Sequence, residues 1–169
     1  MNKLAVFIWW ALYEVYHGKT SSGGPKGTIP GTIRQPSKTE LDKYFQAGGA
    51  AGYDPKVHWC GVFQTYLLKC AGVNCHWDGK IVDDSGGRDL QIVEGKEARK
   101  GLALGDIVRI NHDEHHFMVL EPAERGYLKS VEGNAGGLKH PLVAAFWMGN
   151  AKHNVVEDIY LRYRVIGTA

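Results

Sequence analysis

No run of about 20 apolar residues occurs, so no segment of the sequence has the length that a membrane-crossing helix needs. Charge of one sign is also missing. Lys and Arg total 20 against 18 Asp and Glu, a formal net charge of +2 with a pI near 8.4. A nucleic-acid-binding domain carries a denser basic footprint, and no Lys/Arg run marks a membrane-surface helix. Cysteine is scarce, with Cys60, Cys70 and Cys75 the three present. An odd count excludes a fully paired set within the chain and leaves at least one thiol free, which argues against a disulfide-stapled fold. A Cys70–Cys75 bond stays open. Internal repeats, low-complexity tracts and linker-like segments are absent too, so residues 1–169 read as a single domain.

What is present suits one compact domain: 169 residues, 44% hydrophobic and 22% charged. Lys3 is followed by the apolar stretch Leu4–Leu12. A signal-peptide core has that length, but Tyr13-Glu14-Val15-Tyr16-His17 stands where a small-residue cleavage site belongs, so the stretch is expected to be a buried first helix. Gly18 to Pro36 is rich in Gly, Ser, Thr and Pro and reads as a long loop, of the kind that often borders a binding site. Ser37-Lys38-Thr39-Glu40 has the capping-box pattern, Leu41, Tyr44 and Phe45 follow at helical spacing, and Gly48-Gly49 ends that helix. Val62, Phe63, Tyr66, Leu67 and Cys70 predict a third helix that begins near Cys60 and closes at Gly72. The second half changes character. Strands are expected at 106–110, 117–120, 127–131 and 159–166, with another at 143–147. Helices first and strands later predict an α+β fold, with N-terminal helices packed on an antiparallel β-sheet.

Cys60 stands at the expected N-terminus of the third helix. Unpaired N–H groups and the helix dipole there favour a thiolate, the reactive form of cysteine. Trp59 before it supplies a bulky wall, and Gly61 after it permits close backbone approach. An inert, buried cysteine is the competing reading. A nucleophilic thiol needs a base, for which His112, His115 and His116 are candidates; His116 opens the strand Phe117-Met118-Val119-Leu120. The base in turn needs an orienting group. Val131-Glu132-Gly133-Asn134 ends the next strand, where a hairpin would bring Glu132 or Asn134 beside it. His58 or Tyr53 could add a donor to an oxyanion hole, since no Gln immediately precedes Cys60.

These segments resemble the CHAP amidases and the related NlpC-type cell-wall peptidases of the papain-like superfamily. The resemblance rests on Trp59-Cys60-Gly61-Val62-Phe63, Cys70-Ala71-Gly72-Val73, Gly105-Asp106-Ile107-Val108, His115-His116-Phe117-Met118-Val119-Leu120 and Val131-Glu132-Gly133-Asn134. Ala11–Val15 with His17-Gly18 is similar to that family's opening helix and turn. The resemblance implies a papain-like fold with Cys60 as nucleophile, His116 as base, and Glu132 or Asn134 as orienter. Trp59, Tyr53 and His115 would lie on the substrate side. His115 stands where the family has Gly, which leaves the choice between the two histidines open, and Gly136–Ala169 has no counterpart in the motifs.

The implied reaction is hydrolysis of an amide, most readily in peptidoglycan, with neither metal nor organic cofactor. Its setting would be a secreted lysin, or an effector delivered to the cell wall or periplasm of a target cell. Such a protein would be a monomer, without nucleic-acid or membrane partners, and an effector would meet an immunity protein. Three rivals stand beside it. The same Cys–His chemistry could deamidate or cross-link protein glutamines. The cluster His112-Asp113-Glu114-His115-His116 with Cys60 could hold a metal ion. The five Trp and eight Tyr could line a non-catalytic binding groove.

Overall fold

The computed structural model describes residues 2–17, 26–111, 114–135, 141–149 and 152–168. Three helices come first. Helix α1 (Lys3–Tyr16) starts where the Asn2 side chain accepts the Leu4 N–H, and it buries Phe7, Ala11, Glu14 and Val15 along one stripe. Trp9 and Tyr16 lie on its outer face. Helix α2 (Lys38–Ala47) has the expected capping box: Glu40 N–H donates to Ser37 Oγ at 3.2 Å, and Ser37 N–H donates to the Glu40 carboxylate at 2.7 Å. Helix α3 (Cys60–Cys70) is the central one, buried from Cys60 through Thr65 and again at Leu67 and Leu68.

A two-stranded hairpin, β1 (Cys75–Trp77) and β2 (Ile81–Asp83), follows α3. The main sheet is antiparallel and six-stranded: β3 (Leu90–Glu94), β4 (Ile107–Ile110), β5 (His116–Glu124), β6 (Tyr127–Glu132), β7 (Ala144–Met148) and β8 (Ile159–Val165), in the order β3-β8-β4-β5-β6-β7. Its two faces are both apolar because residues alternate sides along each strand. Ile107, Met118, Val131 and Tyr163 join the core under the helices. Val108, Phe117, Val119, Leu128 and Ile159 form a second core, which Ala98 and Val155 close from two short 3-10 turns. The α+β class and the helices-on-sheet arrangement are as the sequence predicts.

Two further segments find their places. The described part of the long loop, residues 26–36, lies along the outer edge of the sheet, where Thr28 bridges Phe146 and Arg34 bridges Val143. Arg34 is buried there among Glu14, Glu40 and Tyr44: its guanidinium pairs with both carboxylates and donates to the Tyr44 hydroxyl. The rest of that loop, residues 18–25, lies outside the described residues. The chain beyond Gly136, unmatched by the motifs, is integral: β8 sits between β3 and β4.

Helix α3 is fastened to the end of β6 at two points. Gln64, fully buried, donates from Nε2 to the Val131 carbonyl at 3.0 Å. Gly133 rests on Phe63 and Trp59 so closely that a Cβ would lie 2.5 Å from the Phe63 Cβ and 2.7 Å from the Trp59 ring. The helix start and the Glu132–Asn134 turn are therefore held at a fixed separation.

Candidate active site

The N-terminus of α3 meets the sheet where β4 ends, β5 begins and β6 ends. Trp59 is the N-cap of α3 but gives no side-chain cap, so the first-turn N–H groups keep their positive character at Cys60. Cys60 is 7% exposed, and its sulfur receives the backbone N–H of His116 at 3.5 Å. Burial alone would push this thiol up. The neighbouring His115 and His116, the latter through its backbone N–H, outweigh burial and bring it down to about 5.

His115 lies just before β5, and its Nε2 is 2.6 Å from Glu132 Oε2. Burial works against its charged form, but the Glu132 carboxylate first, and then Cys60, raise it to about 10. Between these limits the favoured state is a thiolate beside an imidazolium. Glu132 is itself braced, because the buried Ser130 hydroxyl donates to its other oxygen. Ser130 precedes Glu132 by two residues, the spacing that puts both on one face of β6. His115 and Phe117 share a side in the same way, with rings 5.9 Å apart.

His116 therefore faces the opposite way. The residue is 2% exposed, its ring edge-on to Trp77 at 5.2 Å and stacked on Tyr163 at 6.3 Å, and neither ring nitrogen has a hydrogen-bond partner. The histidine on the Glu132 carboxylate is therefore His115, whereas His116 meets Cys60 through its backbone N–H. A one-residue step along a strand turns a side chain to the other face, which is what separates these neighbours.

Of the two candidate orienters, Glu132 is on the histidine. Asn134, at φ 58°, instead directs Nδ2 to His58 Nδ1 at 3.2 Å, and its buried Oδ1 has no partner. The structure places two of the expected substrate-side residues as follows. Trp59 is 1% exposed, packed between Tyr44 and Phe63, because the helix start turns it into the core. Tyr53 is edge-on to Phe45, with its N–H on Asp42, beside α2. Gly61 does permit close approach: the Trp77 indole occupies the space a Cβ would fill.

Ser130 and Trp77 also stand at the site, without a motif of their own. Ser130 could have been found from its two-residue offset from Glu132. Trp77 could not, because the three-residue strands of its hairpin are too short to show alternation. Among the described residues, no group of three or more His, Cys, Asp or Glu is arranged to hold a metal ion, and no helix is long and apolar enough to cross a membrane. His112 and Asp113 of the suggested metal cluster lie outside the described residues; Glu114 pairs with Arg109 at 3.1 Å and His115 with Glu132. Comparison with protein families, with curated proteins and with solved structures finds no match to this chain.

Proposed function

We propose that this protein is a cysteine hydrolase of the papain-like, CHAP/NlpC type, cleaving an amide bond in peptidoglycan, with Cys60 as nucleophile, His115 as acid and base, and Glu132 as orienter. The observation that carries the reading is the hydrogen-bonded run His115–Glu132–Ser130 next to a cysteine at a helix N-terminus, with the His115 and His116 side chains lowering that thiol to about 5 and the His115 imidazole raised to about 10. A structural cysteine has no need of such company. Cys75 illustrates the contrast, since burial pushes its thiol up to about 12.

In this mechanism the Cys60 thiolate attacks the amide carbonyl carbon. The N–H groups of the first turn of α3 stabilise the charge on the carbonyl oxygen. The His115 imidazolium gives its proton to the departing nitrogen as the C–N bond breaks, leaving a thioester and a neutral imidazole. The imidazole then takes a proton from water, hydroxide adds to the thioester, and the acid and the thiolate separate. Glu132 holds the His115 ring and stabilises its charge in both steps. The site of action would be a cell wall, reached by secretion or delivery.

The test is a digest of purified peptidoglycan, separated by mass, with Cys60→Ala as control. New amine and carboxyl ends should appear with the native protein alone. No release would overturn the peptidoglycan assignment and direct the chemistry to protein glutamine side chains.

A further inference from the structure

The register of the sheet carries a second feature into this site. Arg109 on β4 is the direct cross-strand partner of His116 on β5 and of Leu161 on β8, and Leu161 in turn partners Glu94 on β3. Directly opposed residues in antiparallel strands share a face. The row Glu94–Leu161–Arg109–His116 thus crosses four strands and ends on the residue whose N–H meets the Cys60 sulfur. At its far end is a cleft of about 380 Å³, between the β1–β2 hairpin and strands β3 and β8, lined by Ile81, Leu90, Ile92, Leu161 and Tyr163 and, on its polar side, by Lys80, Asp83 and Glu94. Tyr163 also stacks on the ring of His116, the residue whose backbone N–H meets the Cys60 sulfur.

The Arg109 guanidinium is held in place but poorly neutralised. It lies over the Tyr160 ring at 5.5 Å, its side chain is 16% exposed, and its Nε is buried without a hydrogen-bond partner. Among the described residues its ion-pair partner is Glu114, which is 76% exposed and contacts one terminal nitrogen at 3.1 Å. An exposed pair of that kind contributes little and is readily exchanged. A planar guanidinium with spare donors in a partly closed site is the group best matched to a carboxylate.

We infer that Arg109 anchors a free carboxylate of the substrate, and that the amide cleaved is that of an acidic peptide lying across β4 and β8 with an apolar portion in the cleft. This rests on the proposed hydrolase reading and names its substrate class. Glu114 occupies the guanidinium until the substrate carboxylate displaces it.

The test uses stem-peptide muropeptides with free carboxylates and the same compounds with those carboxylates amidated. Both are offered to the native protein, Arg109→Gln and Arg109→Lys. Native kcat/KM should fall about 10- to 100-fold on amidation, the loss expected of one charge-assisted pair. Arg109→Gln should lose as much on the free acid, mainly in KM, and nothing on the amide; Arg109→Lys should recover part. The Cys60 alkylation rate should be the same in all three, which also reports that the variants fold. Equal native turnover of acid and amide, or equal losses by Arg109→Gln on both, would overturn the inference and leave the hydrolase reading standing. If the native protein cleaves neither, both fall.

Discussion

Alkylation of the three cysteines as a function of pH, followed residue by residue by peptide mass spectrometry, separates an activated thiol from two inert ones. An ordinary thiol with a pKa of about 8.5 is roughly 0.3% thiolate at pH 6, whereas one at about 5 is roughly 90% ionised, a ratio of about 300. A less basic thiolate is also a weaker nucleophile. With a Brønsted slope of about 0.4–0.5 over some 3.5 pK units, each Cys60 thiolate reacts roughly 25- to 55-fold more slowly. The net expectation is that Cys60 outpaces a free model thiol by about 5- to 10-fold at pH 6 and falls behind it by more than about 10-fold at pH 9. The shape is the signature: a rate that rises near pH 5 and then stays flat. Cys70, which burial raises, and Cys75, raised to about 12, should remain unmodified up to pH 8. In His115→Ala the inflection should move up, because burial is then opposed by His116 alone. A Cys60 profile rising only above pH 8 in the native protein would refute the ion-pair reasoning.

Further outcomes follow from the same contacts. Turnover should rise as Cys60 ionises near pH 5 and decline as pH approaches 10, where His115 loses the proton it must give to the leaving amine; a pH–rate profile checks both limbs. His115→Ala should abolish turnover, while His116→Ala should retain a measurable part, since its backbone N–H to Cys60 survives; steady-state rates on one substrate compare them. Gly133→Ala should lower stability by about 1–3 kcal/mol through overpacking against Phe63 and Trp59, read as a shifted denaturant midpoint. Arg34→Met should cost about 3–5 kcal/mol, because it leaves the buried Glu14 carboxylate without its charged partner.

The helices were legible because their signals are local. A capping box and a stripe of apolar side chains at helical spacing depend on neighbours in sequence, and both reappear in α2 and α3. The hairpin of β1 and β2 was not legible, since strands of three residues are too short to show alternation. Strand β3 was missed for a related reason: as an edge strand it buries Leu90 and leaves the rest of its length largely outward.

At the site, Cys60 and the Glu132–Asn134 turn could be picked out from sequence because each ends or begins an element whose type was clear, while Glu132 and Asn134 could not be told apart. The base could not be fixed between two adjacent histidines. That choice depends on which face of β5 each side chain occupies, and the face is set by pairing with β4 and β6. Arg109 was invisible for the same reason. Its cross-strand neighbour His116 meets it through strand register alone.

The most direct measurement is an acid quench during turnover of a muropeptide, followed by the mass of the peptide that contains Cys60. A thioester at Cys60 carrying the acyl half of the substrate, present in the native protein and lost together with turnover in Cys60→Ala, is the predicted result. Undiminished turnover by Cys60→Ala, with no adduct on the native Cys60, would contradict the account.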